Sequence, residues 1–294
     1  MPISIHDVRS AMTDLAQFIC QQSGSTYCPY IQQREVIKTT FQNGKPYSVI
    51  TIMQRLVVID SLYSTNASFN YFSFEDMATA IYSLGPQEQD AINYFKEIAQ
   101  GGVDMNNIFS GKYGIRKNAE PGNVATSLLS KYAYYLLLFQ PGNALGFPIY
   151  DSLVKEVLPT ILLQTLGVEV KKTFLNSCTI EEFIQTVNLL RDAVFNNTTT
   201  RMSCLQQFDI LDAYLWRLGK IKNGNLSLLF TKNEYIKFVN NLGLSGESLK
   251  SVAFDKEVMR KCGTMPTNVI LNGIATAPSV FHTLINQCKL IGFL

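Results

Sequence analysis

Apolar and aromatic residues fill nearly every position from Leu128 to Phe139 in "VATSLLSKYAYYLLLF", and Lys131 is the only charge there. A helix with that pattern has no continuous polar face and is expected to be buried on most sides, over about 124–139. A second dense run, "YSVITIMQRLVVIDSLYSTN" (47–66), is rich in β-branched residues but too long for one strand. It predicts a buried helix whose few charges include Arg55 and Asp60. Helical spacing also marks 5–23. Ser73, followed by Glu75 and Asp76, reads as a cap with acids in the first turn, and Gly85 as the stop. Pro86 opens the next helix and Gly101-Gly102 closes it. A helix is expected at 151–167, another behind Thr179 with Glu181 and Glu182 in its first turn, and a third in "CLQQFDILDAYLWRLGKIKNGN", ending at an Asn-Gly turn.

The stretch "CPYIQQREVIKTTFQNGKPYS", with its turn at Asn43-Gly44-Lys45-Pro46, reads as irregular or short-stranded. Past residue 230 the pattern predicts two or three shorter helices and a less regular tail. The class is mainly α, and 294 residues suit one large domain or two lobes.

Composition narrows the function classes. At 47% hydrophobic and 16% charged the chain is globular, and a net charge of +2 neither announces a polyanionic partner nor excludes one. No apolar stretch reaches the roughly 18 to 20 residues of a membrane span, and the N-terminus lacks a signal-peptide pattern. The six cysteines are scattered, with no CxxC pair, which points to reduced thiols in a cytoplasmic protein. His6 and His282 lie far apart, so a histidine triad or metal centre has no support, and no phosphate-loop or dinucleotide fingerprint is present. No cofactor, metal or membrane partner is expected.

Lys131 has two readings. Its stem can pack while the amine snorkels to the surface. Alternatively, the amine sits inside beside a carboxylate, where a nucleophilic role becomes available. Asp151 follows 20 positions later, behind Pro148, where a helix N-cap belongs. A capping carboxylate stays ionised and points out of the helix end, so it can also steady a developing cation.

In "SLLSKYAYYLLLF" and "GFPIYDSLV" the chain resembles the helix–hairpin–helix DNA glycosylases, and within them the bacterial proteins with an 8-oxoguanine-glycosylase-like fold. The resemblance covers about 40 residues, with weaker agreement in "QRLVVIDSLYSTN" and "YLWRLGK". It implies one unit over 1–294, built as two helical lobes with a cleft between them and the lysine/aspartate core at about 103–230. It implies DNA as partner, as a duplex with a flipped base or as a single strand. It also implies Lys131 as the nucleophile at the sugar C1′, forming a Schiff base, and Asp151 as its assistant. The family's glycine-rich hairpin has only Glu120-Pro121-Gly122-Asn123 as a counterpart, and the four-cysteine iron–sulfur pattern of some members is missing.

Base flipping needs stacking and hydrogen-bonding groups. The candidates are Trp216, Tyr150, Tyr132, Asp209 and Asp212, although solvated helix acids are the plainer reading of the two aspartates. Lys112, Tyr113, Arg116 and Lys117, with Arg217 and Lys220, form the candidate phosphate contacts. Ser64, Thr65 and Asn66 are candidates for insertion into the duplex beside the flipped base. The expected function is excision of a damaged or modified base by a monomeric enzyme, with lyase activity through Lys131, in DNA repair or in defence against phage. The alternative is a non-catalytic helical module that binds nucleic acid or a protein.

Overall fold

A computed structural model of the protein describes residues 3–22, 29–42, 44–63, 73–101, 126–140, 145–196, 202–244, 252–274 and 278–294. Those residues are mainly α-helical and contain no strand. The helices are α1 (Ile5–Gln22), α2 (Pro29–Phe41), α3 (Val49–Tyr63), α4 (Phe74–Tyr82), α5 (Glu88–Ala99), α6 (Thr126–Leu138) and α7 (Ser152–Leu166). They continue with α8 (Lys172–Ser177), α9 (Ile180–Phe195), α10 (Cys204–Lys222), α11 (Lys232–Asn241), α12 (Val252–Thr264), α13 (Thr267–Ile270) and α14 (Pro278–Leu290). None is long and apolar enough to cross a membrane.

Local chemistry sets many of the boundaries. Ser73, Thr179, Ser203 and Thr231 cap α4, α9, α10 and α11 through their side chains, and the last three close reciprocal capping boxes. The N-cap of α5 is Gln87, one residue beyond Pro86. α7 ends at Gly167, whose φ of +67° suits the left-handed stop.

The expectation of an irregular stretch at 28–48 is corrected, because 29–41 is helix α2. Ile37 and Phe41, four apart, place their side chains on one buried face, and α2 packs on α3 and α6. That tertiary face outweighs the β-branched content of the segment. The tail from Gly263 is likewise more regular than its pattern suggests, since α13 and α14 lie in it.

Packing runs in two connected groups. α2, α3 and α5 gather around α6, with α4 packed on α3, while α7, α9, α10 and α14 pack among themselves. α1 joins the second group: Arg9 donates to the carbonyls of Val194 and Ala193 at the end of α9, at 2.7 and 3.1 Å. Gln287 of α14 donates to the Asp7 carbonyl at 2.8 Å and accepts from the Tyr214 hydroxyl at 2.8 Å. One hydrophobic core extends through both groups. Every residue of α6 from Leu128 to Leu137 is buried within it.

Candidate active site

The site lies where α6 of the first group meets the start of α7 in the second. Ser127, Ser130 and Lys131 share one face of α6 through their three- and four-residue spacing. The Lys131 amine donates to Ser127 Oγ at 2.8 Å and lies 3.1 Å from Asp151 Oδ2. It also stands 5.4 Å from the centre of the Tyr63 ring, within cation–π range. The Lys131 side chain is 1% exposed and that of Asp151 is 19% exposed, so the acid is the open member of the pair. The snorkelling alternative for Lys131 does not describe this arrangement.

Asp151 divides its two carboxylate oxygens between two tasks. Oδ1 accepts from the Leu153 amide at 2.8 Å, capping α7, while Oδ2 takes the lysine. Burial pushes the Asp151 carboxyl up. The Lys131 ammonium, the Leu153 amide and the more distant Lys220 charge together outweigh burial, leaving it below the ordinary carboxylate value. Asp151 is therefore ionised at neutral pH.

The approach to Asp151 is anchored by a residue that sequence reasoning passed over. Ser130 Oγ accepts the Tyr150 N–H at 2.9 Å and donates to the Ser127 carbonyl at 3.1 Å. The residue beside the lysine thus holds the residue beside the aspartate. Two glycines bring α10 against this seam. A Cβ at Gly219 would fall 2.7 Å from Leu153 Cβ, and one at Gly146 would fall 2.6 Å from Phe208 Cδ2 and 2.9 Å from Leu205 Cα. The spacing of Ser127 and Ser130 around Lys131 is a signal visible in the sequence. The two glycine contacts are not, since both partners are remote along the chain.

The expectation that Asp209 and Asp212 are solvated helix acids is corrected. Asp209 pairs with Arg34 Nη1 at 2.7 Å and accepts from the Tyr134 hydroxyl. Asp212 is half-buried and lines a narrow cleft with Pro148, Ile149, Val154, Phe208 and Leu211. Burial raises its carboxyl to about 7, and the charges of Asp151 and Asp209 add to that rise, only partly offset by Lys131 and Arg34. The free space of the cleft, about 10 Å³, holds no more than a water, so a base does not fit inside it.

The other candidates scatter. Tyr132 is fully buried between Phe41 and Phe95, at ring distances of 5.6 and 6.1 Å, and belongs to the core rather than to a stacking surface. Tyr150 is buried as well. Its hydroxyl donates to the Leu175 carbonyl at 2.7 Å, and the Lys155 amine lies 4.2 Å from the centre of its ring. Arg217 is buried and donates to the Ala213 carbonyl of its own helix at 2.9 Å, which removes it from the expected phosphate contacts. Trp216 is half-buried, with the Lys220 amine 5.2 Å from its ring centre. Lys220 is close enough for Asp151 to oppose the lowering that burial imposes on it.

Ser64, Thr65, Asn66, Lys112, Tyr113, Arg116, Lys117 and the 120–123 turn lie outside the described residues. Among the described residues no group of His, Cys, Asp and Glu is arranged to hold a metal ion. No known family model matches the chain, and no curated protein or solved structure matches it to a significant degree.

Proposed function

We propose that the protein is a DNA glycosylase of the helix–hairpin–helix kind, two helical lobes with a cleft between, excising a damaged or modified base through Lys131. The observation that carries this reading is the Lys131–Asp151 pair. A lysine on a buried helix meets, at 3.1 Å, a carboxylate fixed at the N-terminus of another helix. Asp151 takes a proton from the Lys131 ammonium, freeing the lone pair for attack at C1′. The amine then carries the sugar as an imine, from which lyase chemistry follows. Trp216 and Lys220, four residues apart on α10 with Lys220 close enough to feel the Asp151 charge, are the aromatic and basic groups offered to DNA. The resemblance leaves repair and phage defence as equal settings.

A second reading, a non-catalytic binding module, draws on one observation: the Lys131 amine is sealed and has its partners. Borohydride trapping separates the two. The protein is incubated with duplex and single-stranded DNA carrying oxidised purines, modified pyrimidines or a plain abasic site. A covalent adduct that disappears in Lys131→Gln is the expected result. Alkali-labile sites without an adduct would indicate a water-using glycosylase. Salt-dependent binding with neither product would establish the binding module.

A further inference from the structure

Asp212 is left unexplained by the pair chemistry, yet it is placed beside it. It lies on α10 one turn beyond Asp209, and the cleft it lines is walled by Pro148 and Ile149, part of the segment that delivers Asp151, and by Val154 of α7. The charged groups facing it come from four elements: Asp209 on its own helix, Asp151 at the start of α7, Lys131 on α6 and Arg34 on α2. Of these acids, Asp209 is engaged by Arg34 and Tyr134, and Asp151 by Lys131 and the Leu153 amide. Asp212 has apolar neighbours in the cleft instead, among them Phe208 and Leu211.

We propose that Asp212 is the acid of this site, giving its proton to the departing base at the mouth of the cleft while Asp151 serves Lys131. The proposal rests on the glycosylase reading. Two carboxyls around one lysine have been given opposite environments, one that favours the ionised form and one that favours the protonated form near neutral pH. Such a division assigns the acid and the base of a site. In the step itself, the lone pair of the neutral Lys131 amine forms the N–C1′ bond. The electron pair of the C1′–base bond leaves with the base, which takes the Asp212 proton. The products are the lysine-linked sugar with a positive nitrogen, the neutral free base and the Asp212 carboxylate.

A plain abasic site has no base to lose, so imine formation there needs Lys131 and Asp151 but not the Asp212 proton. The test compares wild type, Asp212→Asn and Asp212→Glu in single-turnover base release on the same DNA panel and in borohydride trapping on abasic DNA. Melting temperatures establish that each variant is folded. Asp212→Asn is expected to slow base release about 100-fold or more at pH 7, the span of general-acid catalysis, and to leave abasic trapping within about twofold. Asp212→Glu recovers part of the rate. The wild-type rate falls as pH rises through about 7, and the Asn variant loses that fall.

Wild-type base release in Asp212→Asn would overturn the proposal while leaving the glycosylase intact. Parallel loss of release and trapping would also overturn it, making Asp212 a support for Lys131 instead. Trapping by wild type without base release from any substrate removes the proposal and leaves only the lyase. If wild type neither releases a base nor traps abasic DNA, the glycosylase reading fails, and the proposal with it.

Discussion

Two buried cations, Arg55 on α3 and Lys131 on α6, look alike by location and differ in what holds them. Arg55 is 3% exposed and paired with Glu88 at 28%, and Lys131 is 1% exposed and paired with Asp151 at 19%. Arg55 also donates to the Thr40 and Phe41 carbonyls at the end of α2, at 3.3 and 3.1 Å, and stacks 4.6 Å from the centre of the Phe41 ring. A guanidinium that closes a helix C-terminus cannot lose its proton and cannot leave without stranding main-chain acceptors. Lys131 is held chiefly by a hydroxyl and a carboxylate on side chains, with only a long 3.5 Å contact to the Ser127 carbonyl, and an amine can give up a proton and form a bond. Burial of an ion pair therefore does not separate structural from chemical roles. The partners do.

The largest expected effect comes from breaking each pair in turn. Lys131→Gln should lower base release by about 10⁴-fold or more, the scale on which a removed nucleophile registers. Its cost in stability should be the smaller one, since Asp151 keeps its Leu153 amide and an open side. Arg55→Gln should reverse the pattern, costing roughly 3–5 kcal/mol in urea unfolding while the folded fraction keeps its activity. Equal destabilisation in both variants with base release intact would place the two pairs in one class.

The pH dependence of stability sharpens the contrast within the site. Asp212 binds its proton up to about pH 7 when folded, against an ordinary value of 3.8. Across that window the folded chain holds more protons than the unfolded one, so this group makes stability fall as pH rises from about 4 to 7. Asp151 acts in the opposite sense. Its folded value is lowered, so its contribution is present above the unfolded value and is lost as pH falls through the folded one. Asp212→Asn should remove only the first slope. Thermal melts should find the variant more stable than wild type at pH 8, by on the order of 2 kcal/mol after allowance for solvent screening, and equal to it near pH 4.

The legible parts of this molecule were those decided by neighbours in sequence. The apolar density of α6, the position of Asp151 ahead of α7 and the cap at Thr179 are local, and a sequence displays them directly. α2 was hidden because its helical face is defined by what it packs on, Ile37 and Phe41 against α3 and α6. Asp209 and Asp212 resemble surface acids within α10, yet Arg34, far away in the chain, pairs with the first, and burial, with the charge of distant Asp151 added, raises the second. Tyr132 shows the same limit from the other side: its aromatic character suits a base pocket or a core equally, and Phe41 and Phe95 enclose it. The pairing of Lys131 with Asp151 was anticipated through a family resemblance, and the Ser130 bond to Tyr150 supplies a physical reason for the alignment.

The smallest effect isolates the two tasks of Asp151. Asn and Asp cap helices about equally well, so Asp151→Asn keeps an acceptor for the Leu153 amide and loses the charge facing Lys131. Asp151→Ala loses both. The stranded lysine is common to the two variants and cancels in their difference, which should be about 1 kcal/mol, the ordinary worth of a cap. Thr179→Ala, at a cap away from the lysine, should cost a similar amount and leave activity alone. If the charge carries the chemistry, the Asn and Ala variants lose base release by the same factor despite their unequal stabilities. Activity that instead followed stability, with Asn close to wild type, would mean that Asp151 merely holds α7 in place and that Lys131 and Arg55 are anchors of the same kind.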